Sequence, residues 1–326
     1  MANRKITFSL GGAAGMSFEG LVEACQVTER LKFDGYYVSD HFTPHQPIGL
    51  TSDMLEAMTV LGNMAAHTST IKLGTMVSPV MFRHPVLLAK CIATLDHVSN
   101  GRAMLGLGTA VEDMHEYTAY GIDHPSYVER VERVEETLTI MHELFKNERT
   151  NFEGKYFTLK DAPFDPKPIQ KPHPYILVAG GSMQIMRVAA KLADDWNYFG
   201  LPGEMAAKNK ELDEVCRELG RDPATLQRSR QIQIFMTNDT AAVSTFIERQ
   251  ATVLPTMYKR LGRLAECDGN EAMVRDYHLV GTVAQVKDKL HEWAETGVTH
   301  LSFPWPRPVN IPMLEQFSAE VMPEFS

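Results

Sequence analysis

Alternation is the feature that most constrains this chain. Short apolar runs recur, each followed by a segment with helical period. The runs are Ile6–Leu10, Gly35–Ser39, Ile71–Thr75, Arg102–Leu107, Tyr175–Val178, Asp195–Tyr198, Gln231–Met236 and His300–Phe303. The helical segments are Ser17–Leu31, Asp53–His67, Pro85–Val98, Tyr127–Phe145, Ser182–Leu192, Glu204–Leu219, Thr282–Thr296 and Ile311–Val321. Repeated strand–helix units lead to parallel strands with right-handed crossovers. Eight of them in 326 residues predict an α/β fold, a closed (β/α)8 TIM barrel forming one domain, 1–326. The stretch 240–276 is helical but out of rhythm, and is expected as a helical insertion at the C-terminal face. The Pro-rich stretch 163–174 is expected as a long loop.

Composition removes whole classes of function. The chain carries 32 basic and 41 acidic residues, a formal net charge of −9. That leaves no basic excess to neutralise phosphates, so no nucleic-acid partner is expected. No apolar run approaches the roughly 18 residues that a membrane helix needs. Arg4 and Lys5 before ITFSLGGAAG weakly mimic a signal peptide. The stretch is short and Gly-rich, so a first strand opening into a loop is expected. Cys25, Cys91, Cys216 and Cys267 are scattered without a C-x-x-C pair, which reads as reduced thiols in a cytoplasm and no structural zinc.

In a barrel of this kind the chemistry sits where strands end and helices begin. Asp40 and His41 follow the second strand. A carboxylate beside an imidazole can shuttle protons or orient a redox ring, and it can equally cap the next helix. Pro44 lies between His41 and His45 and opposes a helical metal pair, so no metal site is expected. Gly180-Gly181-Ser182 precedes a helix. It reads either as a phosphate cradle made of exposed N–H groups or as a glycine turn with an ordinary Ser N-cap. Gly106-Leu107-Gly108-Thr109-Ala110 only superficially resembles a dinucleotide loop, because its third glycine is missing and Glu112 and Asp113 follow. It reads instead as a strand packed tightly in the barrel, or as a Cβ-free backbone on which a ligand lies flat. The charged run Glu129–Glu136 reads as a solvated helix face. Met183 and Met186 read as core or cofactor packing.

Taken together, these stretches are familiar. Gly35-Tyr36-Tyr37-Val38-Ser39-Asp40-His41-Phe42 is the first. Leu73-Gly74-Thr75-Met76-Val77 with Arg83-His84-Pro85 and Asp96-His97-Val98-Ser99-Asn100-Gly101-Arg102 is the second. Gly106-Leu107-Gly108, then Val178-Ala179-Gly180-Gly181 with Asp194-Asp195-Trp196, complete the set. The combination runs along nearly the whole chain and resembles the luciferase-like flavin oxidoreductase superfamily. Ser-Asp-His-Phe is similar to the branch that uses the deazaflavin coenzyme F420.

The resemblance implies a barrel with an insertion, often a homodimer, binding F420 or alternatively FMN. It implies Asp40 and His41 at the redox ring and a non-proline cis peptide at Met76–Val77 behind it. Thr109 and Ala110 would meet the cofactor phosphate together with Gly180, Gly181, Ser182 and Met183. The sequence departs from the sugar-phosphate dehydrogenases of that branch. His45 stands where they carry Trp, and Val111 stands where they carry an acidic proton donor, with Glu112 displaced by one.

The expected activity is hydride transfer between deazaflavin and a small, fairly apolar organic substrate. His41, oriented or charged by Asp40, is the expected proton-transfer group, and Glu112 a possible second carboxylate. The alternatives are an FMN-dependent monooxygenase fed by a partner flavin reductase and a flavin-binding protein without turnover. A basic groove around Lys208 and Lys210 would favour the carboxylate-rich deazaflavin side chain.

Overall fold

A computed structural model describes residues 5–12, 15–43, 53–110, 115–260, 263, 267–306 and 309–325. The first half of the chain runs β1 (Thr7–Gly11), α1 (Phe18–Arg30), β2 (Gly35–Val38), α2 (Ala57–Ala66), β3 (Lys72–Thr75), a short β4 (Ser78–Pro79), α3 (Pro85–Val98), β5 (Ala103–Gly108), α4 (His115–Tyr120) and α5 (Tyr127–Lys146). There follow β6 (Arg149–Glu153), β7 (Thr158–Pro163), β8 (Tyr175–Ala179), α6 (Met183–Leu192), β9 (Asp195–Asn197), α7 (Pro202–Glu218), β10 (Gln227–Gln231) and β11 (Ile234–Met236). The last part is α8 (Thr240–Arg260), α9 (Glu271–Tyr277), β12 (Leu279–Gly281), α10 (Val283–Glu295), β13 (His300–Pro304), α11 (Ile311–Gln316) and α12 (Met322–Phe325).

Among the described residues, eight parallel strands pair in the order β3-β2-β1-β13-β10-β9-β8-β5, and β5 pairs back to β3. The sheet is therefore a closed barrel, as the alternation predicts. The helices start where side chains cap them. Ser17, Ser126, Ser182 and Thr282 each accept a backbone N–H of the first turn, and Pro85 occupies the first turn of α3. Arg102, at the end of the Asp96–Arg102 motif, is a staple. Its guanidinium donates to the carbonyls of Ala65, Thr68, Ile71 and Ser99, tying the ends of α2 and α3 to the start of β5.

Close approach between strands explains the glycines. A Cβ on Gly74 would collide with the Met104 carbonyl, and one on Gly106 with the Thr75 carbonyl. A Cβ on Gly108 would lie 2.8 Å from a Val77 methyl. The space above Gly106 and Gly108 is thus filled by the chain itself. That supports the tight-packing reading of this motif and corrects both the flat-ligand and the dinucleotide readings.

The seventh barrel strand is displaced from its expected place. The apolar run 231–236 was the expected strand, but Ile234–Met236 pairs with Leu279–Gly281 in a separate two-stranded sheet. The barrel strand is the polar Gln227-Arg228-Ser229-Arg230-Gln231. It carries no apolar signal because its alternate side chains enter a polar barrel interior. Tyr175 donates to Gln227 at 2.6 Å, and Asn197 donates to Ser229 at 3.0 Å. Deeper in the same interior, His300 bridges Asp195 (3.2 Å) and Ser9 (3.1 Å), joining strands that are not neighbours. On the outer side, Arg230 is buried 4.1 Å over the Tyr277 ring.

Between α5 and the Pro-rich stretch 163–174 lies an antiparallel hairpin, β6–β7, that the sequence reading did not anticipate. The charged face of α5 holds it. Glu136 accepts the backbone N–H groups of Lys155 (2.6 Å), Tyr156 and Phe157 (both 3.1 Å), and Lys155 Nζ reaches Glu132 at 2.8 Å. That face is therefore a docking surface as well as a solvated one. Within 240–276, α8 and α9 share a separate apolar cluster including Ile247, Leu254, Tyr258, Met273 and Val274. No helix among the described residues is long and apolar enough to cross a membrane, and all four cysteines are free thiols.

The glycine packing has a measurable consequence. Gly106→Ala forces the β3 exit away from β5 and is expected to cost about 3 kcal/mol of unfolding free energy. Urea denaturation checks it, and a cost near zero would show that the two segments can part freely.

Candidate active site

The exits of β2, β3, β5 and β8 lie side by side, because these strands are neighbours or near neighbours in the barrel. Beyond β3 the Met76–Val77 peptide is cis, as the resemblance implies. The chain then forms β4, which pairs with β5 so that Ser78 faces Leu107 and Pro79 faces Gly108. Gly108 in turn pairs with Ala179 of β8. This register sets Thr109 and Ala110 beside the Gly180-Gly181 turn. The buried Thr109 ends the strand, and Ala110 takes a positive φ of 62°.

Asp40 is buried beyond β2. Ser78 Oγ donates to its Oδ2 at 2.6 Å, and Arg83 forms a two-point ion pair with its carboxylate. Arg83 also pairs with Glu56 at the start of α2. Burial alone would push the Arg83 guanidinium towards losing its proton. The hydrogen bonds and charges of Asp40 and Glu56 outweigh that and hold it protonated. Ser78 Oγ also lies 3.2 Å from Thr75 Oγ1, and Thr75 donates to the Gly106 carbonyl at 3.0 Å. Asp40 Oδ2, through Ser78, thus holds the segment that carries the cis peptide, while Arg83 fixes the carboxylate from its other side.

The carboxylate on His41 is a different one. His41 Nδ1 lies 2.8 Å from Oε2 of Glu116, in the first turn of α4. Glu116 Oε1 accepts the backbone N–H groups of Phe42 and of Thr43, the latter at 3.0 Å. This corrects the expectation that Asp40 orients His41. Side chains of consecutive residues in extended chain leave in opposite directions, and Asp40 turns to Arg83. Burial raises the Glu116 carboxyl, but the hydrogen bond and charge of His41 and the two backbone N–H groups more than offset it. The group is held below the usual carboxylate range. Sequence reasoning missed Glu116, which is 75 residues from His41 in a six-residue helix with no strong periodic signal. Glu112, Val111 and His45 lie outside the described residues.

Around His41 the mouth is aromatic. Phe42, 38% exposed, stacks on Phe82 at 4.6 Å and meets Tyr120 edge-on at 5.6 Å, and Phe82 meets Tyr117 at 5.6 Å.

The turn after β8 leads directly into α6. Gly180 has φ 141°, and Ser182 is the N-cap of α6, accepting the Ile185 N–H. Ser182 also hydrogen-bonds the Tyr127 hydroxyl at 2.8 Å. Met183 is exposed and Met186 fully buried in the core. The glycines are required by protein packing as well. A Cβ on Gly180 would meet Ile185 at 2.8 Å, and one on Gly181 would strike the Tyr198 ring, which stacks on Trp196 at 5.4 Å. Trp196 Nε1 donates to the Gly180 carbonyl at 2.7 Å and fixes the turn from behind. Asn197 Oδ1, buried at the end of β9, has no hydrogen-bond partner among the described residues. A helix N-terminus for an anion and a spare buried acceptor for a ring N–H fit a phosphorylated flavin-type cofactor. Of the expected basic groove, Lys208 pairs with Glu211 one turn along α7.

Comparison with known proteins agrees with this geometry. A family model described as luciferase-like monooxygenase matches residues 6–300. The chain is 30% identical over 311 residues to an F420-dependent glucose-6-phosphate dehydrogenase of Kineococcus radiotolerans, covering 90% of this chain and 89% of that one. It is 28% identical to the protein of the same name from Intrasporangium calvum, covering 93% of each. Its fold is similar to that of an F420-dependent secondary alcohol dehydrogenase solved with an F420–acetone adduct, with a TM-score of 0.82, 19% identity and 99% of each chain covered.

The Asp40 ion pair can be tested directly. Arg83→Met leaves a buried carboxylate without its counter-charge and is expected to lower unfolding free energy by about 3–5 kcal/mol. Chemical denaturation measures it. A loss below about 1 kcal/mol would place the pair among the weak surface bridges.

Proposed function

This chain belongs to the luciferase-like monooxygenase family, and from that premise we propose that it is a coenzyme F420-dependent oxidoreductase. It moves hydride between the deazaflavin and a small, fairly apolar organic substrate. The observation that carries the reading is His41, tied to a buried carboxylate and set beside an aromatic mouth. The F420-dependent relatives at 28–30% identity support the cofactor.

The chemistry that a bound deazaflavin supplies is two-electron hydride exchange. The chain's own residues bind, orient and handle the proton. The Gly180-Gly181-Ser182 turn, with Met183, Thr109 and Ala110 beside it, holds the phosphate. Met76 and Val77, pinned through Ser78, Asp40 and Arg83, would lie against the bound cofactor. His41 takes the hydroxyl proton when an alcohol is oxidised and returns it when a carbonyl is reduced.

An uncharged substrate is supported by the guanidinium groups beside the strand exits. Arg83 already faces Asp40 and Glu56, and Arg263 already faces Glu204. The dehydrogenase relatives are named for a sugar phosphate, and the departures at His45 and Val111 argue against carrying that substrate over. An FMN-dependent monooxygenase working with a flavin reductase is the second reading, favoured by the description of the family itself. The same reading expects a homodimer, and the four free thiols support a cytoplasmic setting.

Two measurements test it. Titrating the apo protein with F420 and with FMN is expected to give micromolar or tighter binding of F420 and much weaker binding of FMN. The reverse order would move the protein to oxygen chemistry, and binding of neither would remove the cofactor reading. His41→Ala is expected to lower turnover of screened alcohols or enones by about 10²-fold or more, with F420 affinity nearly kept. Equal loss of both would make His41 a binding residue.

A further inference from the structure

Glu116 stands out among the buried polar groups near the strand ends, because its two oxygens do different work. It is 2% exposed. Oε1 takes two backbone N–H groups, those of Phe42 and Thr43, and Oε2 takes His41 Nδ1 at 2.8 Å. One carboxylate on α4 thus grips three consecutive residues beyond β2. A carboxylate without its proton can only accept, so Nδ1 must be the protonated nitrogen of the ring. An imidazole with Nδ1 committed as donor carries its exchangeable proton site on Nε2.

We propose that Glu116 is a positioning residue that fixes His41 as the Nδ1–H tautomer, so that Nε2 is the atom that exchanges the substrate proton. The proposal rests on the oxidoreductase reading for its catalytic half. Its tautomer half stands on the geometry alone.

The amide swap makes the idea sharp. In Glu116→Gln the two backbone N–H groups still demand an acceptor at the Oε1 position, so the amide oxygen is held there. The amide nitrogen then occupies the Oε2 position and donates towards Nδ1. The ring must answer by accepting at Nδ1 and moving its proton to Nε2. The size of the side chain is unchanged, and the tautomer is reversed.

The tautomer is read on the apo protein, labelled with ¹⁵N-histidine, by long-range ¹H–¹⁵N correlation above the pH at which the ring loses its second proton. His41→Ala assigns the signal. Wild type is expected to show protonated Nδ1, and E116Q protonated Nε2. F420 affinity is expected to stay within about threefold, while single-turnover reduction of F420 by an alcohol that the wild type oxidises in the screen falls by about 10²-fold or more.

A wild-type ring protonated at Nε2, or a tautomer unchanged by E116Q, overturns the proposal. A loss of F420 affinity matching the loss of rate also overturns it, since that is the mark of a structural residue. If E116Q does not fold, Glu116→Asp serves. It keeps the charge but withdraws the oxygen from Nδ1, and retention of full rate there overturns the positioning role. If wild type binds no F420, the F420 reading fails, while the apo spectrum still decides the tautomer.

Discussion

The close approach of the β3 exit to strand β5 is the constraint on which this active-site architecture depends. Thr75, Met76, Val77 and Ser78 lie against a strand stripped of side chains at Gly106 and Gly108. Only there can the chain leave β3, pass through the cis peptide and join β5 again as β4. The approach is not held by packing alone. Thr75 ties to the Gly106 carbonyl, Ser78 to Asp40, and Asp40 to Arg83. A buried charge pair of this kind is costly to make and more costly to break, so it specifies one arrangement. Asp40, which the sequence offered for chemistry, and the Gly-x-Gly of β5 together build this scaffold.

The reactive part is assembled on that scaffold from distant pieces. His41 follows the same strand as Asp40, but its partner arrives from α4. The aromatic mouth draws Phe42 from one exit, Phe82 from the turn after β4, and Tyr117 and Tyr120 from α4. The Gly180-Gly181 turn is braced by Trp196 and Tyr198 of the next unit. Each neighbouring strand–helix unit thus contributes one side of the site. This is how barrels of this class separate stability from chemistry.

The polar interior accounts for the main misplacement along the chain. Strand prediction from sequence looks for apolar runs, and Gln227–Gln231 has none. It is nevertheless a central barrel strand, because its inward residues meet the Tyr175 and Asn197 side chains of neighbouring units, and its outward arginines are covered by Asp213 and by an aromatic cage around Tyr277. The apolar Ile234–Met236 was free to pair elsewhere, with Leu279–Gly281. The hairpin β6–β7 escaped for a related reason. Its backbone N–H groups are satisfied by Glu136 of α5, a long-range contact that no local pattern announces.

By itself the sequence determined the closed barrel, the order of most of its units, the exits where chemistry sits, and the motifs that mark the family. The motifs are legible through their resemblance to a family; the rest is legible because it rests on local physics: apolar periodicity, caps and glycine where no Cβ fits. Only the tertiary structure decided which partner each polar group faces. Asp40 and His41 are adjacent in the chain, yet they take separate charges, Arg83 and Glu116, from elements 43 and 75 residues away. Pairing of buried charges is a property of the folded geometry, set by which helix the barrel lays across which strand end. No spacing along the chain encodes it.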